Sequence, residues 1–178
     1  MVHFGLPIWF RRRRRIPPTP GKPGAQSFGV NTSAQFFQAF SEAVDEYMSA
    51  ADVVLWKAMA CAMFAWHLRE WVEQDPGVTK KHKKHLEQLA KNCPSIGHMK
   101  AIANGSKHCQ LEDQGRESVV DSRYQPGGFD RRAFSRGFQT PRLKLKIADG
   151  TELDFDDELK NARDWWRDFF KTNSATAV

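Results

Sequence analysis

Five consecutive residues, Asn104-Gly105-Ser106-Lys107-His108, bring an amide, a hydroxyl, an amine and an imidazole together. The charge of Lys107 is expected to lower the pKa of His108, so that a neutral imidazole is available as a general base. Such a base could take the proton of a ribose 2′-hydroxyl, with Lys107, Asn104 and Ser106 in supporting roles. The alternative is structural: Asn104 and Gly105 end a helix, and Lys107 and His108 lie in the loop that follows.

Two basic segments have the composition of a surface that binds a polyanion. Lysines at the start of a helix oppose the helix dipole, so a bound phosphate would explain their position better than local stability does. The alternative is a solvated charged face close to Glu70, Glu73 and Asp75. A run of arginines in the tail could bind RNA, DNA or an anionic surface, with an affinity that depends on salt rather than on sequence. The candidate nucleic-acid-binding residues are Arg11, Arg12, Arg13, Arg14, Arg15, Lys80, Lys81, Lys83 and Lys84.

Histidines and cysteines are frequent between His82 and Cys109, but their spacing matches no known type of metal site. There is no Cys-x-x-Cys pair, and the pair formed by His82 and His85 lacks an upstream cysteine at a usual distance. We therefore predict no metal and no other cofactor. A serine or cysteine hydrolase is also disfavoured, because the sequence has no nucleophile-elbow motif.

The net charge of +6 comes entirely from residues 1–31. These residues hold six of the 27 Lys and Arg residues and no acid, which leaves 21 basic residues against 21 acidic ones in the rest of the chain. Three cysteines, one of them in an apolar helical run, favour a reducing compartment. The longest apolar stretch, Ala58–Trp66, is too short to span a membrane, and prolines follow the arginine run where a secretory signal would be apolar. These features predict a cytoplasmic protein without a membrane segment.

The elements that position these residues are predicted to be mainly helical. Residues 1–31, rich in proline and glycine, are expected to form a disordered tail, and residues 173–178 a disordered C-terminus. A single domain, 32–172, should form a bundle of about five helices with a C-terminal β-hairpin at 142–155, and Val119-Val120 could add a third strand. The first helix is expected to begin at a capping box at Thr32, and the second, over about 52–74, at a capping box formed by Ser49-x-x-Asp52. A third helix is expected over about 79–92. A fourth should run from Pro94 to a stop at Asn104-Gly105, and the last over about 156–171.

The hairpin has a predictable register, because apolar and charged residues alternate in both strands. A two-residue loop would place Ile147 opposite Glu152 and mix the two faces. A three-residue loop that ends in a left-handed Gly150 keeps the faces apart. The predicted pairs are Leu145 with Leu153, Leu143 with Phe155, Lys146 with Glu152, and Lys144 with Asp154.

A long apolar helix, a basic helix and a short helix ending in Asn-x-x-x-His resemble, in that order, the HEPN superfamily. HEPN domains are small helical bundles, often dimeric, and many are metal-independent endoribonucleases. Their motif is an arginine, often followed by Asn, His or Asp, with a histidine a few residues further on. Asn104 and His108 match the last two features, whereas Ala103 stands where the arginine is expected. The resemblance covers roughly residues 33–108, and it implies a non-catalytic module, because that arginine would stabilise the transition state.

The chain is also similar to bacterial and phage-borne proteins of unassigned function that combine an Ala-Asn-x-Ser-Lys-His segment with a hairpin and a Trp-rich last helix. The first hypothesis is therefore a non-catalytic HEPN-like module that binds RNA or a protein partner. The second is a metal-independent endoribonuclease that uses His108, and the third is a structural or assembly protein whose arginine tail binds nucleic acid. A homodimer is expected as well, because 6 Trp and 13 Phe residues exceed the needs of a core of this size.

Overall fold

The computed structural model describes residues 29–107, 118–134 and 139–174. Within these ranges the chain is mainly helical, with a three-stranded antiparallel sheet towards its C-terminal end. The helices are α1 (Ser33–Met48), α2 (Leu55–Gln74), α3 (Lys80–Lys83), a 3₁₀ turn (Lys84–Gln88), α4 (Leu89–Asn92), α5 (Pro94–Lys107) and α6 (Phe155–Ser174); the strands are β1 (Val119–Gln125), β2 (Arg142–Ile147) and β3 (Glu152–Asp154). The predicted fold class, a helical bundle with a hairpin and a third strand, is confirmed. The predicted tail lies outside the described residues as far as residue 28.

Helix α2 is the central element, since it packs against α1, α5 and α6. Its buried side chains are mostly small, which lets the neighbouring helices approach closely: Ala58, Cys61, Ala62, Ala65, Leu68 and Val72. Helix α6 contributes Leu159, Ala162 and the fully buried Trp166, whose indole N–H donates to the carbonyl of Ala65 (3.0 Å). Among the described helices, none is long and apolar enough to cross a membrane.

The capping box at the start of α1 is confirmed. The N–H of Gln35 donates to Oγ1 of Thr32 (3.2 Å), and the N–H of Thr32 donates to Oε1 of Gln35 (3.2 Å). The first helical residue, Ser33, donates both its N–H and its hydroxyl to Asp75, at 2.8 and 2.6 Å. The residue that ends α2 therefore holds the start of α1 in place.

The second predicted capping box is wrong. The hydroxyl of Ser49 donates to the carbonyl of Glu46 (3.0 Å), so Ser49 ends α1 and does not begin α2. The carboxylate of Asp52 accepts from the N–H of Val53 (2.6 Å) and from the hydroxyl of Tyr124 in β1 (3.0 Å). Because a distant strand engages this carboxylate, α2 begins later, at Leu55, without a side-chain cap.

Two further helix boundaries differ from the prediction. The segment expected to be one helix over 79–92 is divided by the 3₁₀ turn, in which residues three apart lie in line. Leu86 in the turn and Leu89 at the start of α4 both reach the core. Helix α5 continues past Asn104-Gly105, because Gly105 is not left-handed: among the described glycines, only Gly29 and Gly150 have a positive φ. Helix α6 also runs to Ser174, beyond the expected end near Lys171.

The three strands follow the order β1-β2-β3. The predicted pairs Lys144–Asp154, Leu145–Leu153 and Lys146–Glu152 are confirmed, and Gly150 has the expected left-handed conformation, with φ of 90°. The predicted partner of Leu143 is wrong, because Phe155 is already the first residue of α6 and is fully buried. Strand β1 pairs with β2 in a register that sets Ser122 opposite Leu145 and Tyr124 opposite Leu143.

Two cysteines lie in the interior with free thiols. Cys61 is 1% exposed in α2, and burial raises the pKa of its thiol to about 12. Cys93, just before α5, is 7% exposed, and burial raises the pKa of its thiol as well. Both therefore behave as small core residues. Cys109 lies outside the described residues.

Candidate functional site

The end of α5 holds what the structure describes of the proposed catalytic segment. Asn104 and Ser106 are half-buried and lie two residues apart on the helix, so their side chains do not face each other. The hydroxyl of Ser106 donates to the carbonyl of Ala103 (2.8 Å), within the helix. The side chain of Lys107 and the whole of His108 lie outside the described residues. Of the four predicted catalytic residues, the two whose side chains the structure describes, Asn104 and Ser106, are therefore not brought together.

Ala103 marks the place where a HEPN motif would carry its arginine. Its side chain is fully buried, so this position of α5 faces the core. A guanidinium there would have to displace packed apolar groups and would not face solvent. The buried position of Ala103 is unsuited to a residue that contacts a phosphate.

The predicted basic segment occupies α3 and the start of the 3₁₀ turn. Lys80, Lys81 and Lys84 are exposed, and none of them forms an ion pair with any residue that the structure describes. Lys83 is half-buried and donates its ammonium group to the carbonyl of Glu73 at the end of α2 (2.9 Å). The other five candidates lie outside the described residues: Arg11, Arg12, Arg13, Arg14 and Arg15.

The basic segment is held against the protein by residues that face the core. Thr79 caps α3, and its hydroxyl lies 2.7 Å from Nδ1 of His82, which is 9% exposed. Leu86, one turn further on, is 4% exposed. His82 is thus a structural residue of the segment, and the exposed lysines stand on the opposite side of a fixed element.

An aromatic residue of α2 lies between two cations. The ring centroid of Trp66 is 5.2 Å from the guanidinium carbon of Arg69 and 5.8 Å from the ammonium nitrogen of Lys100 in α5. Arg69 also pairs with Glu73 (2.9 Å), whose carbonyl accepts from Lys83. We call the chain of contacts from Lys100 through Trp66, Arg69 and Glu73 to Lys83 the basic row. It includes the acidic Glu73, and Lys83 belongs to the segment that carries the exposed lysines.

A buried charge cluster that the sequence analysis missed joins the first and last helices. Arg131 and Asp156 form an ion pair (2.6 Å), and the hydroxyl of Tyr47 donates to the other oxygen of Asp156 (3.0 Å). The guanidinium of Arg131 also lies over the ring of Tyr47, 4.9 Å from its centroid. Burial, together with the charge of Asp156, raises the pKa of Tyr47 far above its ordinary value.

Arg131 reaches this position because the loop before it lies close to the start of β2. The N–H groups of Gly128 and Phe129 both donate to the carbonyl of Gln139 (2.7 and 3.2 Å). A side chain on Gly127 would collide with the backbone of Thr140 and Pro141, so only glycine fits there. A cleft of about 150 Å³ opens beside the cluster. Both oxygens of Asp156 are already engaged, so the cluster ties the fold together and leaves no free base.

Within the described residues, the side chains that could bind a metal do not converge. In the described ranges, no group of three or more His, Cys, Asp or Glu side chains could hold a metal ion. His98 pairs instead with Glu158 (2.6 Å) in the interior.

Comparisons with protein-family models, with curated proteins and with solved structures find no significant match for the chain in any of the three. The resemblance to HEPN domains therefore stays a hypothesis that depends on Asn104 and His108.

Proposed function

We propose that this chain is a non-catalytic, HEPN-like module that binds RNA through the basic segment at Lys80–Lys84. The observation that carries the proposal is the set of three exposed lysines, Lys80, Lys81 and Lys84, without an ion-pair partner in the described part of the chain. Unpaired lysines on a fixed element release counterions when they meet phosphates, which is the main source of affinity for a nucleic acid.

The basic row extends this surface with a group that suits single-stranded RNA. Trp66 offers part of an aromatic face, with Arg69 and Lys100 beside it. Bases stack on aromatic and guanidinium planes while lysines contact the backbone, so a strand that follows the row would meet both kinds of contact. Glu70 and Glu73 on the same helix reduce the positive potential and would favour a single strand over a more highly charged duplex.

Helix α5 lacks the cation that catalysis would require at the motif position. Ala103 replaces the motif arginine at a fully buried position. Without a cation at the reacting phosphate, His108 alone would have to provide general-base catalysis, and the charge that develops in the transition state would lack its principal stabiliser. Lys107 is a weaker substitute, because an ammonium group lacks the forked geometry of a guanidinium.

The test is the salt dependence of binding to a labelled single-stranded RNA, measured by fluorescence anisotropy. The triple variant Lys80→Glu/Lys81→Glu/Lys84→Glu should lower the slope of log affinity against log salt by about 2, at roughly 0.7 per lost phosphate contact. The matched control, Lys146→Glu/Arg167→Glu/Lys171→Glu, changes the same number of charges elsewhere and should alter the slope much less. Equal loss in both triple variants would contradict a defined surface.

A parallel measurement separates the alternatives. Incubation of the same RNA without added metal should leave it intact with both the wild type and His108→Ala. Cleavage by the wild type that is lost in His108→Ala would replace this proposal with the endoribonuclease. Binding that is lost only when Arg11–Arg15 are replaced by serine would favour the tail-dependent assembly protein.

A further inference from the structure

Strand β1 is an edge strand with an open side. In the described part of the chain it pairs only with β2, and its residues from Val120 to Gln125 are all exposed. An unpaired edge of seven residues offers backbone N–H and C=O groups to a strand from another molecule. The irregularity in its pairing with β2 lies between Val119 and Asp121, so the part from Asp121 to Gln125 is regular.

The edge borders an exposed apolar surface. Val120 and Tyr124 are 51% and 41% exposed, and the first turns of α2 add Trp56, at 67%, and Met59, at 42%. The strand and the helix are neighbours at two places. Met59 and Val120 line one groove of about 380 Å³, and the hydroxyl of Tyr124 donates to Asp52 (3.0 Å), just before α2. Exposed apolar residues that form one surface next to a free edge indicate an interface.

The geometry points to a second copy of this chain as the partner, with β1 pairing antiparallel to β1 about a two-fold axis at Ser122. In that register Asp121 faces Arg123 of the other copy, and this happens twice. Tyr124 and Gln125 extend past these pairs towards the irregular residues Val119 and Val120, so the self-complementary part of the strand is Asp121 to Arg123. A surface that complements itself in this way is what a two-fold interface requires.

The charges select this register over its neighbours. An axis at Asp121 would set two carboxylates opposite each other, and an axis at Arg123 would set two guanidinium groups opposite each other, both of which are unfavourable. The contacts that Asp121 and Arg123 make within one copy compete little with the proposed pairs between copies. The carboxylate of Asp121 accepts from the N–H of Ser122 (2.8 Å), and Arg123 lies 3.6 Å from Glu152, with both side chains more than half exposed.

The direction in which the side chains of β1 point is consistent with the same register. Ser122 and Tyr124 lie opposite Leu145 and Leu143, on the side of the sheet that carries the helices. Directly opposite residues of an antiparallel pair point to the same face, so both helical layers would lie on one side of a six-stranded sheet. The Trp56 and Met59 side chains of the two copies would then approach each other across the joined edges, where their exposed apolar area could be buried.

The inference is independent of the proposed RNA binding, and it is tested without RNA by sedimentation equilibrium of the full-length, nuclease-treated protein. The wild type should be a dimer. Asp121→Arg and Arg123→Asp should each weaken the dimer by about tenfold or more, because each creates like charges across the axis. The double variant Asp121→Arg/Arg123→Asp restores opposite charges and should return to within about threefold of the wild type.

Mixing provides a second measurement. The two single variants complement each other, so their mixture should form a heterodimer tighter than either homodimer. Lys171→Asp, an exposed substitution on α6, is the control and should leave the wild-type association unchanged. A monomeric wild type at about 0.5 mM, or single variants that associate as tightly as the wild type, would overturn the inference.

Discussion

Nδ1 of His98 in α5 lies 2.6 Å from Oε2 of Glu158 in α6, and the two residues are 8% and 9% exposed. Burial alone would raise the pKa of Glu158, but hydrogen bonds from His98 and Ser95 and the charge of His98 outweigh it and hold the pKa below its ordinary value. The contact joins two helices of the bundle through residues 60 positions apart in the sequence. Its loss should therefore loosen the packing of α6 against α5.

The first prediction concerns this pair. Glu158→Ala and His98→Ala should each lower the free energy of unfolding by about 3 kcal/mol, because each leaves the other group buried without its partner. Urea denaturation measures the change. The chain offers a matched control in His67 and Glu70, whose side chains pair at 3.3 Å on the surface of α2 with Glu70 more than half exposed. His67→Ala should leave stability nearly unchanged, and a loss as large as that of His98→Ala would show that burial is not the deciding factor.

The second prediction concerns acid. Because the pKa of Glu158 is lower in the folded chain than its ordinary value of 4.5, the unfolded chain binds more protons at acid pH. The contribution of Glu158 is complete above about pH 4.5 and is lost as the pH falls through the folded-state pKa. The free energy of unfolding of Glu158→Gln should therefore fall less steeply below pH 4.5 than that of the wild type. Parallel curves for the two proteins would contradict the assignment.

The third prediction contrasts two adjacent arginines. Arg131 is almost fully buried and pairs with Asp156, whereas Arg132 pairs with Asp130 on the surface. Arg131→Ala leaves Asp156 buried with only Tyr47 as a partner and should lower the free energy of unfolding by about 3–5 kcal/mol. Arg132→Ala should have no measurable effect. Thermal or urea denaturation distinguishes the two, and similar values for both would argue against a buried cluster.

The fourth prediction contrasts two glycines. Gly150 has φ of 90°, so Gly150→Ala strains the hairpin loop and should cost about 1–2 kcal/mol. Gly105 lies within α5, and an added Cβ would meet no atom within 4 Å apart from its chain neighbours and the nearby backbone of its own helix. Gly105→Ala should stabilise the chain by about 0.5–1 kcal/mol, because alanine favours the helix. A destabilising Gly105→Ala would show that the helix does not pass through this residue.

Local patterns were sufficient wherever the contacts are local. The capping box of Thr32 and Gln35 depends on residues three apart, and the hairpin register depends on alternation over 13 residues, from Leu143 to Phe155. The register ends before the pattern does, because Phe155 continues the alternation but is buried in the core as the first residue of α6. Its ring packs against the ring of Tyr47, with 5.6 Å between the two centroids, and this contact keeps Phe155 in the core and out of the strand pair.

The wrong capping box at Asp52 and the missed cluster around Arg131 have a common cause in contacts between distant residues. Asp52 has the spacing of a capping residue, but Tyr124 engages its carboxylate from 72 positions away. Arg131 pairs with Asp156 and covers Tyr47 from a region of the sequence without a clear pattern. No period or motif signals such a cluster. For the candidate site, the sequence located exposed lysines at 80–84, whereas Trp66 with Arg69 and Lys100 required the packing of α5 on α2.

The two interior thiols make the protein its own reporter of transient opening. Only the thiolate reacts with an alkylating reagent. Cys61 is 1% exposed, and burial raises the pKa of its thiol to about 12. In a Cys109→Ser background, the rate at which Cys61 is modified would therefore measure how often α2 separates from its neighbours, while Cys93 would monitor the start of α5. Comparing the modification rates of the two cysteines would show whether the bundle opens as one unit or helix by helix.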